Sequence, residues 1–132
     1  MATEIKLEGI EEILTAIRVK LGKAANRVEN RGLRAAGEAI AEEMRSRVNV
    51  SNKSGPNYTH IRDDIRVTGV RRREGAKYVL VGPGKETGWR AHFLEFGTKH
   101  MHARPFIYPA FHAKRSQAMQ IMAEEFRKGL RE

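Results

Sequence analysis

Five histidines, an aspartate pair and an arginine triplet are the residues of this chain whose types and spacing could do chemistry. His92-x-x-Glu95 and His100-x-His102 raise metal binding, because imidazole and carboxylate are ordinary zinc and transition-metal ligands. The spacing does not favour it: on an extended strand His92 and Glu95 point to opposite faces, and no helical His-Glu-x-x-His is present. Asp63-Asp64, flanked by Arg62 and Arg66, could form a paired-carboxylate site beside a basic substrate clamp, as in a metal-dependent nuclease. Alternating charges at a strand entry more often make solvated ion pairs. Gly82-Pro83-Gly84 lacks the Lys-Ser/Thr of a phosphate-binding loop, and there is no Gly-x-Ser-x-Gly turn. The residues therefore argue for a protein that is not an enzyme and has no catalytic, cofactor or metal site.

Arg71-Arg72-Arg73 is the densest positive feature. At the tip of a hairpin it could reach a phosphate backbone or an acidic partner surface. It sits in a basic background: 25 Lys and Arg against 16 Asp and Glu give a formal charge of +9, which favours contact with polyanions or acidic proteins. No aromatic residue interleaves the triplet, so base stacking is not implied.

The elements that must position these residues follow from apolar periodicity. The 132 residues fit one domain, residues 1–132. Cysteine is absent, which excludes disulfides and thiolate zinc sites. No apolar run approaches bilayer-spanning length, and Met1–Leu7 lacks the basic-then-apolar order of a secretory signal. Ile5 and Leu7 alternate with charged residues as in a short strand, and Ile10, Ile13, Leu14, Ile17 and Leu21 mark a first helix. Lys23–Val48 reads as a second, longer helix whose buried face is rich in Gly and Ala, so that another backbone can come close. Asn49–Tyr58 is a loop dense in turn formers. Ile65–Val67 and Tyr78–Val81 read as two strands joined by a charged turn at Arg71–Gly75, with a mobile loop at Gly82–Gly88 and a third strand at Trp89–Phe96. Pro105 and Pro109 suit the entry of a terminal amphipathic helix reaching Leu130. The expected class is α+β: N-terminal helices, a small antiparallel β-meander and a C-terminal amphipathic helix.

Ala91-His92-Phe93-Leu94-Glu95-Phe96-Gly97-Thr98 and Ala103-Arg104-Pro105-Phe106-Ile107-Tyr108-Pro109-Ala110-Phe111 form the most specific stretch. It reads as a packing corner. Gly97 turns the chain, the prolines fix the backbone, Phe106 and Phe111 anchor the helix entry, and Glu95 accepts hydrogen bonds from the turn or from Arg104. Glu-Phe-Gly-Thr followed by Ala-Arg-Pro-Phe-x-x-Pro-Ala-Phe resembles the siphophage tail-component family, which includes head–tail joining and tail-completion proteins. The opening Leu7–Leu14, the Ala/Gly-rich second helix and the terminal helix extend the likeness over most of the chain. One departure lies at Ser54–Ile65, where the family's Pro-x-x-Thr-Gly-x-Leu-x-x-Ser-Ile is altered, although Ile61 and Ile65 keep the apolar spacing. The resemblance implies a structural virion protein of the neck or head-proximal tail end. Such a protein is made in the host cytoplasm, works as a homo-oligomeric ring, and is partnered by other neck and tail proteins and, non-specifically, by packaged DNA. It implies no membrane and no cofactor. The rival expectation is a small basic nucleic-acid-binding protein.

Overall fold

The computed structural model describes residues 4–5, 12, 15, 19, 25–50, 53 and 55–131. The first expected helix lies largely outside them; Glu12, Thr15 and Val19 have helical backbone. The elements are β1 (Glu4–Ile5), α1 (Ala25–Arg47), α2 (Ile61–Asp64), β2 (Ile65–Val67), β3 (Arg71–Arg73), β4 (Ala76–Pro83), α3 (Gly88–Phe96) and α4 (Ile107–Arg131). The class is α+β, as expected.

β4 is the spine of the sheet. β1 pairs with it antiparallel through Glu4–Leu80 and Ile5–Val79. β2 and β3 lie end to end along its other edge, with Val67 opposite Val81 and Arg71 opposite Tyr78. Between those two pairings Thr68, Gly69 and Val70 face only Val79 and Leu80, so one extra residue makes a β-bulge. Thr68 stabilises it, its Oγ1 accepting the Leu80 N–H at 3.0 Å. Glu74 and Gly75, with φ of 52° and 82°, close the hairpin, as a type I′ turn requires.

The expected third strand is a helix instead. Gly88 N–H donates to Gly84 O at 2.9 Å and Ala91 N–H to Thr87 O at 2.9 Å, which winds the chain before Trp89. The run Trp89-x-Ala91-x-Phe93 fits a period of two, but Gly88, Ala91 and Glu95 are buried at the three-and-four spacing of a helix. The third strand of the sheet is supplied by β1. Arg71–Arg73, expected as the turn, are a strand, and the turn is Glu74-Gly75 alone. The Gly82–Gly88 loop is also shorter than expected, because β4 runs through Pro83.

α1 carries the core between α4 and the sheet. Val28, Leu33, Ile40 and Met44 are buried together with Val79, Val81, Phe106, Met122 and Phe126. Two glycines set the approach distances. A Cβ on Gly32 would stand 2.5 Å from Phe126 Cε1, and one on Gly37 would stand 3.0 Å from Val67 Cγ1, so α4 and the sheet each close on α1 at a residue without a side chain. Arg45 and Arg47 in the last turn of α1 complement the negative end of its dipole. Arg45 also donates to Ile65 O at 2.7 Å, tying α1 to β2.

Candidate functional site

The corner between α3 and α4 is built around one carboxylate. Glu95 is 8 % exposed. Its Oε1 accepts the N–H groups of Phe106 and Ile107, both at 3.0 Å, and its Oε2 that of Tyr108 at 3.1 Å. These are unpaired donors of the first turn of α4, so the charge lies at the positive end of that helix. The donors come from the helix start; the turn and the Arg104 side chain do not supply them, and Arg104 contributes its backbone N–H to Leu94 O at 2.7 Å. Gly97 reverses the chain with φ of 77°, its N–H bonded to Phe93 O at 2.7 Å. Thr98 and Met101 then bridge across a tight loop, with His100 N–H on Thr98 Oγ1 at 3.2 Å. Pro105 precedes Phe106, which is fully buried, and Pro109 falls in the first turn of α4, where its missing N–H costs no helical hydrogen bond.

A second carboxylate, which sequence reasoning placed among solvated ion pairs, fixes the other end of α3. Asp64 is 2 % exposed. Its Oδ2 accepts the Thr87 hydroxyl at 2.8 Å and the Thr87 N–H at 3.2 Å, and its Oδ1 meets Arg66 Nη2 at 2.5 Å. Burial raises the pKa of this carboxyl, but the Thr87 hydroxyl, the Arg66 hydrogen bond, the Thr87 amide and the Arg66 charge together outweigh it and hold the pKa below the ordinary value. Asp63 lies outside this arrangement, 3.7 Å from Arg62. Asp64 is thus committed to structure, and the two aspartates do not converge.

Held at both ends, α3 turns a hydrophobic face outward. Trp89, Phe93 and Phe96 follow one another at helical spacing and are 62 %, 44 % and 65 % exposed. His92 lies among them, its ring centroid 6.1 Å from that of Phe93 and 4.9 Å from that of Phe96. Beside this face runs a groove of about 310 Å³, lined among others by Tyr58, Ile61, Arg90, Phe93 and Met101. Arg90 shapes its wall. The guanidinium lies 4.5 Å from the Tyr58 ring centroid and donates to the Tyr58 hydroxyl at 2.5 Å and to Thr59 O. Reading Trp89–Phe96 as a strand hid this face; the signal that could have revealed it is the four-then-three spacing of its three aromatic residues.

The arginine triplet divides between two faces because it is a strand. Arg72 points toward α1 and donates to Asn26 Oδ1 at 3.2 Å. On that same face Lys77 is buried in an ion pair with Glu29 at 2.6 Å, and it also donates to Asn26 and to Asn30, the latter at 3.0 Å. Arg71 and Arg73 are exposed on the face turned away from α1, with Arg73 over the Tyr78 ring at 5.9 Å.

The helix places His92 and Glu95 one turn apart, which corrects the opposite-face expectation, yet the Glu95 oxygens are already occupied. Among the described residues no three histidine, aspartate or glutamate side chains gather as a metal site would need. No helix among them is long and apolar enough to cross a membrane.

The arrangement is an outward aromatic face on a short helix whose two ends are fixed by buried carboxylates. A family model described as "Bacteriophage HK97-gp10, putative tail-component" matches residues 12–97, which span α1, the strands β2 to β4 and α3. No curated protein and no solved structure matches the chain. With well over half of its length matched, this chain belongs to the HK97-gp10-like family of bacteriophage tail components.

Proposed function

We propose that this tail component acts in head–tail joining or tail completion, as one protomer of a ring at the neck or the head-proximal end of the tail. The observation that carries the reading is the outward aromatic face of α3, held at one end by Asp64 and at the other by Glu95. A large apolar surface on a small domain marks a contact with other proteins. Its partners are further neck and tail proteins, and the protein has no catalytic role. Gold-labelled antibody against this chain, applied to intact virions, is expected to decorate the head–tail junction. Labelling of the tail tip, or of free capsids only, overturns the reading.

A second role, contact with packaged DNA, draws on Arg71 and Arg73, which share a sheet face with Arg66, itself 67 % exposed in its side chain. In a ring of +9 protomers these arginines would present a basic surface to a phosphate backbone. The same observation favours the alternative of a free nucleic-acid-binding protein. That alternative requires tight, steeply salt-dependent binding by the isolated chain, whereas a ring component binds DNA weakly until assembled.

A further inference from the structure

We infer that α3 and the groove beside it receive an acidic segment of a neighbouring virion protein, with one bulky apolar side chain of that segment entering the groove. Exposed aromatic residues gather at this corner. Trp89, Phe93 and Phe96 lie on α3, and Tyr108 is adjacent, its N–H held by Glu95. Beside Phe93 the groove is walled by Tyr58, Ile61, Leu94 and Met101, and its volume of about 310 Å³ is at the small end for a ligand pocket. A concave slot of that size selects a discrete projection, as a protein segment presents, over a flat lipid surface. A phosphate backbone has no apolar side chain to place there.

The chain that builds this corner is basic. Residues 49–62 hold Lys53 and Arg62 and no acid, and residues 85–104 hold Lys85, Arg90, Lys99 and Arg104 against Glu86 and Glu95. Glu95 is already engaged by three N–H groups of α4. Arg62 is offset by its neighbour Asp63 at 3.7 Å, and Glu86, which is exposed, has the exposed Lys85 beside it. Positive charge is left around the groove. Arg90 stands in its wall, and Lys53 Nζ lies 5.1 Å from the Tyr58 ring centroid. Lys99 follows Thr98, a residue of the groove, and Arg104 is joined through its N–H to Leu94 O, also of the groove; both are exposed. These surroundings disfavour the pairing of two such corners and favour a partner that carries negative charge around its apolar anchor. The inference rests on the docking reading above and deepens it by stating the chemistry of what docks.

The test is photo-cross-linking in assembled particles, with Phe96, 65 % exposed, replaced by photoreactive benzoylphenylalanine, which keeps the face aromatic. Sequencing the cross-linked peptide reads what lies against α3. The expected product is a segment of another virion protein in which acidic residues outnumber basic ones around a bulky apolar residue. A synthetic copy of that segment should bind the purified full chain and shift the emission of Trp89, the only tryptophan, to the blue. Added salt should weaken the binding. Lys99→Glu with Arg104→Glu, and separately Phe93→Ser, should each weaken it at least tenfold while leaving the circular dichroism unchanged. A cross-link to a segment without net negative charge, to another copy of this chain, to DNA or to lipid overturns the inference. So does binding that is indifferent to the Lys99 and Arg104 changes. Particles that contain the chain but yield no cross-link also overturn it, and gold labelling of the head–tail junction in those particles would leave the joining reading standing.

Discussion

Replacing Glu95 with alanine would leave three backbone N–H groups at the start of α4 without their acceptor. Each unmet buried donor costs about 1–3 kcal/mol, so Glu95→Ala is expected to lower stability by ~3 kcal/mol in urea denaturation, with Glu95→Gln losing less because its amide oxygen still accepts. The need for an acceptor was legible in the sequence, since a carboxylate within an apolar stretch must be satisfied. Its partners were not, because they lie eleven to thirteen residues on, across a turn whose closure only the fold specifies. Asp64 was missed for a related reason: its partner Thr87 is 23 residues away, on a segment read as mobile. The Asp64 pKa is lowered in the folded state. Its contribution to stability is therefore fully present above the ordinary value of 3.8 and is lost as pH falls through the lowered one. Asp64→Asn should reduce stability at neutral pH and flatten the acid limb of a stability-versus-pH curve. An unchanged acid limb would contradict this assignment.

At the scale of elements, the close crossing of α1 and α4 depends on Gly32. Gly32→Ala gains up to ~1 kcal/mol of helix propensity but drives a Cβ to 2.5 Å from the Phe126 ring. Overpacking of that kind typically costs about 1–3 kcal/mol, and the ring is itself buried, so thermal denaturation should show net destabilisation. The small-residue face of this helix was plain from its spacing, as were the terminal helix and the β2–β4 pairing. α3 was not. Trp89–Phe96 fits both periods, and what decides is the turn that Thr87 and Gly88 make on Asp64 and Gly84, which lies outside the run itself. The arginine triplet was visible as charge but misplaced, since Glu74-Gly75 supplies the whole turn and leaves the arginines to alternate along β3. As a result Arg72 is tied to Asn26 beside the buried Glu29–Lys77 pair, and a test of DNA contact should spare it. Arg71→Glu with Arg73→Glu is expected to preserve folding while impairing DNA retention or particle joining, read as infectivity and as the fraction of filled, tailed particles.

For the whole molecule, a basic charge, no cysteine and one α+β core fitted a virion component without singling one out. The Glu-Phe-Gly corner and its surroundings narrowed the choice, and the family match over residues 12–97 establishes it at the level of a phage tail component. Residues 103–111, whose prolines and aromatics carried part of the resemblance, lie beyond that match and belong to the entry of α4. What the sequence could not disclose is that Trp89, Phe93 and Phe96 are left exposed, because that is a property of how α3 is seated and of no local pattern alone. Two buried carboxylates hold a short helix with its aromatic face outward, and docking of that face at the junction of head and tail is the proposal to be tested. Electron microscopy of lysates from a phage lacking this gene tests it most directly, by counting joined virions, filled heads and free tails. Filled heads beside unattached or abnormal tails are expected, with joining restored by the wild-type gene but not by Phe93→Ser with Phe96→Ser; normal infectious virions in the deletion would contradict a joining or completion role.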